Sequence, residues 1–234
     1  ISISMPSGLV AGNDIFVRIG SSRGTADWSP DLPGFTKIFD SRLVNGSSRG
    51  AFFIYRKPNI TGSETAVTFT HGVNGSGQTA YVAEQWEGVG SIEVPDVDGV
   101  SSSTSGVHTI NLNTITTTGA QRVVLSGVGG RGPSSGDIAE TWGGGATVQF
   151  GTATGQIAAL TTAMETLTTP ATRTHTCQVN NTQGAPALCA GSIILNPEEE
   201  GVEEWNGPAY VPTEYQDEFN LDTGGFNFNP TNTA

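Results

Sequence analysis

Residues able to do chemistry are few in this chain and thinly spread. "GSSRG" occurs at 20–24 and again at 46–50, and both copies fit the G-x-S-x-G pattern of serine hydrolases through Ser22 and Ser48. A nucleophile elbow needs a strand before the serine and a helix after it, whereas the second copy opens directly into "AFFIYRK", which reads as a strand. Flexible loops with Arg23 and Arg49 exposed are the favoured reading. "RVVLSGVGGRG" contains G-x-G-x-x-G at Gly127, Gly129 and Gly132, directly after a strand. Yet "PSSGDIAETWGGG" stands where a phosphate-binding helix would have to begin, which leaves a glycine-rich loop.

Metal and acid–base chemistry fare no better. "DVDG" at 96–99 offers Asp96 and Asp98, with Glu93 nearby, as hard-cation ligands. The long calcium loop with its closing Glu is missing, so an Asp-Gly turn is expected. His71, His108 and His175 fall singly, without paired zinc-ligand spacing, and read as structural or solvent-facing. Glu84 and Glu87 lie either side of Trp86 and would form a glycosidase pair only at a fixed separation; opposite strand faces hold them apart. The expectation is a protein that is not an enzyme, with no catalytic residue, no metal and no cofactor. Trp28, Trp86 and Trp142 could stack on sugar rings if they shared a face, which keeps a glycan-binding module as the alternative.

The elements that would position these residues are strands. Gly accounts for 32 of 234 residues and charged residues for only 14%, with abundant Thr and Val, a composition that favours strands and turns. Strand signals recur at 2–5, 14–20, 35–43, 50–57, 65–71 and 79–88, then, after the turn-rich "VPDVDGVSSSTSG", at 108–116, 121–129, 146–150, 155–167, 172–179 and 186–195. Many short strands punctuated by Gly, Pro, Asn and Ser predict an antiparallel sandwich or barrel. In "FTKIFD", alternation puts Phe35, Lys37 and Phe39 on one face with Thr36 and Ile38 on the other; in "TAVTFTH", Val67 and Phe69 point one way. "GNDIFVRIGSSRG", a long loop, "AFFIYRK" and "QTAYVAEQWEG" are echoed roughly 100 residues later by "GAQRVVLSGVGGRG", a long loop, "GQIAALTTAME" and "PALCAGSIIL". Two related halves interleaving into one sandwich would produce that echo. Cys177 and Cys189 flank a loop and could meet across a hairpin or stay reduced and buried.

Several motifs in the first half carry a resemblance. They are "P-x-G-x-x-A-G-x-D" at Pro6, Gly8, Ala11, Gly12 and Asp14; "PGFT" at Pro33 to Thr36; an aromatic-basic strand at Tyr55 to Lys57; and Trp86, Gly88 and Val89. Together they resemble the jelly-roll β-sandwich domain of bacteriophage virion proteins, including tail fibres and head decorations, and of some bacterial surface proteins. Residues 100 to 195 are similar to that domain in strand order only, and the tail has no counterpart in it. The resemblance implies an all-β, antiparallel, jelly-roll-like sandwich over 1–195 and a virion structural role. The expected role is a capsid decoration, or cement, protein on the outer surface of the shell, bound to the major capsid protein or another virion protein. It also implies a homotrimer, with a tail-fibre or adhesin module that binds host glycan as the alternative.

Residues 196–234 stand apart. They hold nine acidic residues and no Lys or Arg, whereas 1–195 hold 13 acidic and 10 basic, so most of the net charge of −12 sits in the tail. Such a segment repels nucleic acid and anionic membrane and favours a basic protein surface. No apolar run approaches a bilayer span, and "ISISMPSGLVAG" has no basic n-region, so a soluble chain is expected. Trp205, Tyr210, Tyr215, Phe219, Phe226 and Phe228 recur through the tail, while Pro208, Pro212 and Pro230 oppose a long helix. An extended C-terminal arm is predicted, steered by carboxylates and anchored by aromatics, with Phe226 and Phe228 spaced for one face of a strand added to a neighbour's sheet edge.

Overall fold

A computed structural model describes residues 1–22, 30–45, 48–70, 79–95, 100–102, 106–131, 141–154, 158–181, 187–198 and 228–229. Every regular element among them is a strand. The first half supplies β1 (Ser2–Ile3), β2 (Asp14–Ser21), β3 (Thr36–Asn45), β4 (Ser48–Lys57), β5 (Val67–Thr68) and β6 (Thr79–Trp86). β7 (Val89–Glu93) and β8 (Val100–Ser102) lead into the second half. There follow β9 (Gly106–Asn111), β10 (Ile115–Thr116), β11 (Arg122–Arg131), β12 (Thr141–Gly143), β13 (Thr147–Thr154), β14 (Ala158–Leu167), β15 (Thr172–Arg173), β16 (Thr176–Asn181) and β17 (Ala187–Pro197). A short last strand, β18 (Phe228–Asn229), lies inside the acidic segment.

Two antiparallel sheets pack face to face, one ordered β18-β6-β2-β4-β3 and the other β13-β14-β11-β17-β7, with β8 also paired to β17. Phe16, Phe39, Phe52, Ile54, Trp86, Leu125, Leu160, Ile193 and Leu195 fill the space between them. The outer faces are covered too. Ile3, Leu32, Ile60 and Phe69 lie over Ile15, Val17 and Ile19 of the first sheet. The three-stranded β12-β16-β9 sheet covers Val128, Ala159 and Leu188 of the second, beside a small cluster of Ile115, Val124, Leu167 and Ile194. Central strands buried on both faces need no polar alternation. That is why "IFVRIG" and "VVLSGVG" read as near-continuous apolar runs, and why all eight residues of β2 are buried. The all-β antiparallel sandwich expected from the sequence is the architecture found.

The two halves are one unit built twice. In each, the fourth long strand pairs with the first, the first with the third, and the third with the second: β6-β2-β4-β3 and β17-β11-β14-β13. Asp14 pairs with Trp86 in the first half, and 109 residues further on, Val123 pairs with Leu195 in the second. The equivalent glycines Gly20 and Gly129 touch each other across the sandwich: a Cβ on Gly129 would lie 2.7 Å from the Gly20 Cα. Gly127 makes room for the Phe52 ring in the same way, so the G-x-G portion of the glycine-rich motif serves sheet-to-sheet approach. The halves therefore do not interleave as expected. Each makes its own sheet; among the described residues, β7 and β8 pair with β17 of the second sheet and β18 pairs with β6 of the first.

Local departures from the sequence pattern have physical causes. A β-bulge between Lys37 and Phe39 switches the alternation. It turns Phe39 into the core between the sheets, while Phe35 stays with the outer cluster and Lys37 lies over the Phe53 ring. Val67 and Phe69 do share the outer face. The expected strand over 172–179 is broken at Thr174 and His175, and the one over 108–116 at Leu112 to Thr114, where the Leu112 amide donates to the His175 carbonyl (2.9 Å). Cys177 and Cys189 sit on strands of different sheets; both are buried and no disulfide joins them, so they do not meet across a hairpin.

Candidate functional site

The densest group of chemistry-bearing side chains lies where the outer layer of the second half meets its sheet. Ser126 of β11 and Ser192 of β17 are directly opposite in the ladder, with hydroxyls 2.7 Å apart. The Ser126 hydroxyl also reaches His175 Nδ1 (2.7 Å), and His175 Nε2 reaches a Glu165 carboxylate oxygen (2.9 Å). Arg173 Nε donates to the other Glu165 oxygen at 2.9 Å, and Asn113 accepts from the Ser192 amide at 2.9 Å. One proton arrangement satisfies the chain: Ser192 donates to Ser126, Ser126 to Nδ1, and Nε2–H to the carboxylate. Two serines supply the small side chains that leave room for an imidazole on an otherwise apolar face.

The residue types are those of a serine–histidine–acid relay, and its position decides what it does. Ser126 is 0% exposed and His175 1%, so the hydroxyl has no approach for a substrate carbonyl and the imidazole ring caps it. The group works as a buried hydrogen-bonded clasp. Nothing in linear spacing announces it, because its members come from five segments between 113 and 192. The available signal was one lone serine in the middle of each apolar run, "VVLSGVG" and "CAGSIIL".

A second polar group lies between the sheets. The fully buried Arg18 pairs with Glu84, and donates to Gln149 Oε1 (2.7 Å) and to the Ser126 carbonyl (3.0 Å). Glu84 is thus committed to an internal cation, while Glu87 is exposed in the turn after β6; the two do not converge on a common site. A groove lined by Met5, Phe35 and Val67 also holds the Lys57–Glu64 ion pair (3.2 Å) in its wall. Burial alone would raise the Glu64 carboxyl. Bonds from the Thr61 amide and from the amide of Glu64 itself, then from Lys57 and the Thr61 hydroxyl, outweigh it and hold the group at about 2.

The residues singled out from the sequence fall as follows. Trp86 is buried in the core between the sheets, and Trp142 is buried in the outer layer of the second half, with Nε1 donating to the Thr161 hydroxyl (2.9 Å). Separate cores hold them, so they do not form a shared glycan face, and Trp28 lies outside the described residues. Ser48 begins β4 with no helix after it, and Ser22 follows the end of β2. Asp96, Asp98 and His71 lie outside the described residues; Glu93 accepts from Asn196 (2.9 Å). Asp14 of the "AGND" turn holds Arg56 Nε (2.6 Å) and the amide of Asn59 (3.0 Å), a residue with positive φ. In the arm, Trp205, Tyr210, Tyr215, Phe219 and Phe226 lie outside the described residues. Phe228 belongs to β18, whose backbone pairs with β6: Phe228 opposite Trp86 and Asn229 opposite Gln85. The strand foreseen for a neighbour's sheet edge here joins the edge of the chain's own first sheet. Comparisons of this chain with protein-family models, with curated proteins and with solved structures give no match.

Proposed function

We propose that this chain is a non-enzymatic virion structural protein, a capsid decoration protein that binds the outer shell and fastens neighbouring capsomers. The observation that supports the reading is β18: residues from the far end of the acidic segment pair with a sheet edge, that of the chain's own β6, and strand addition of this kind to another protein's edge would give affinity through the backbone and selectivity through alternate side chains. The double-covered sandwich supports it, since Ser126, His175, Arg18 and Glu84, the side chains best suited to catalysis, are consumed in internal contacts. The acidic segment would steer toward basic patches on the major capsid protein or another virion protein, and a homotrimer would place three such segments around one axis. The first-half motifs that resemble phage virion domains point the same way. The test is location and copy number: purified heads should carry the protein in hundreds of copies, and a truncation lacking 200–234 should fold but fail to attach. Recovery in low copy number on tail fractions alone would sink the proposal.

A further inference from the structure

The correspondence in strand order and register between the halves extends to the strands at the sheet edges. β7 leaves β6 after Glu87 and Gly88, crosses to the second sheet and sets Ile92 opposite Leu195 and Glu93 opposite Ile194. β18 comes after β17 and sets Phe228 opposite Trp86 and Asn229 opposite Gln85. Trp86 and Leu195 are equivalent positions, as are Gln85 and Ile194, each pair 109 residues apart. β18 therefore occupies on the first sheet the register that β7 occupies on the second. The acceptor edge is a feature the fold makes twice.

What differs is the tether. Two residues join β6 to β7, so β7 must cross within its own molecule; thirty residues, 198–227, separate β17 from β18. Thirty residues reach up to about 100 Å when extended, farther than a domain of this size is wide, so the tether lets β18 reach the β6 edge of an adjacent molecule. A two-residue strand also pairs too briefly to hold an arm by itself. In a closed assembly each such pairing is reinforced by all the others, which is how exchange of an identical element builds symmetric oligomers. We propose that the β6 edge is the docking site for the Phe228–Asn229 strand of a second copy of this chain, so that the arms are exchanged between subunits. The inference goes beyond the virion reading and holds for whatever assembly the chain enters.

The test uses full-length chains. Gln85→Cys and Asn229→Cys are made in separately tagged copies, mixed, refolded together and oxidised; the unmodified chain, whose own cysteines are buried, is the control. Exchange predicts a disulfide-linked pair carrying both tags, in at least tenfold excess over the control. A double variant that closes only within one chain, together with no mixed pair, overturns the proposal, and so does the absence of any cross-link. Should Gln85→Cys fail to fold, light scattering on a chain lacking 226–234 replaces it: the mass should fall to that of a single chain, and an unchanged oligomer overturns exchange. Neither readout depends on where the protein sits in a particle, so its failure is separable from failure of the decoration reading.

Discussion

His175, with Trp142 and Asn113, fastens an outer layer to its sheet by hydrogen bonds at a largely apolar seam. Replacing it with Ala leaves the buried Ser126 hydroxyl and the Glu165 carboxylate each short of a partner, at a cost of about 2–3 kcal/mol that should appear as a lower urea midpoint. The same logic is sharper for Arg18. Arg18→Met strands Glu84 as an uncompensated buried charge and should cost about 3–5 kcal/mol, while the double change Arg18→Met, Glu84→Leu should recover most of it. If the double variant were as unstable as the single one, the packing of Arg18 and not the charge would be what matters. Glu64 gives a pH signature. Its carboxyl is depressed to about 2 in the folded chain, so its contribution is complete above about pH 4.5 and is lost as pH falls toward 2. Wild type should be more stable than Glu64→Gln at pH 6, and the two should converge near pH 2 in acid titrations followed by circular dichroism. Cys189 should resist alkylation in the native state, since burial pushes its thiol up to about 12.

Among the elements, the inner-face glycines set how closely the sheets approach. Gly129→Ala puts a Cβ 2.7 Å from a backbone atom of Gly20, which has no side chain to yield. The sheets must separate, at about 1–3 kcal/mol, read as a lower melting temperature. This scale also marks what the sequence could and could not disclose. β2, β4, β11 and β17 were legible because burial on both faces writes long apolar runs. β7 was not, since "VGSIE" is a sheet-edge strand with mostly uncovered side chains. The bulge at Lys37 and Phe39 leaves no composition signal, only a broken alternation. The buried clasp was illegible for a different reason: its members are brought together by ladder register and by a break in the strand at Thr174 and His175, neither of which leaves a local motif. The duplication was legible as an echo, but which half made which sheet depended on pairings far apart in sequence.

For the whole molecule, the charge imbalance and the covered faces divide the labour: a nearly neutral body and an acidic segment whose end reaches a sheet edge. Removing 200–234 should leave the near-ultraviolet circular dichroism of the body intact, because the core between the sheets draws on residues 16 to 195. A collapse of that signal would mean the arm is part of the fold. The reciprocal crossing of β7 and β18 has one more consequence. A cut engineered at 96–99 would yield two polypeptides, each holding a strand that completes the other's sheet. Such a nicked protein should migrate as one species under native conditions and come apart only in denaturant, behaving as a heterodimer whose two partners happen to be translated together.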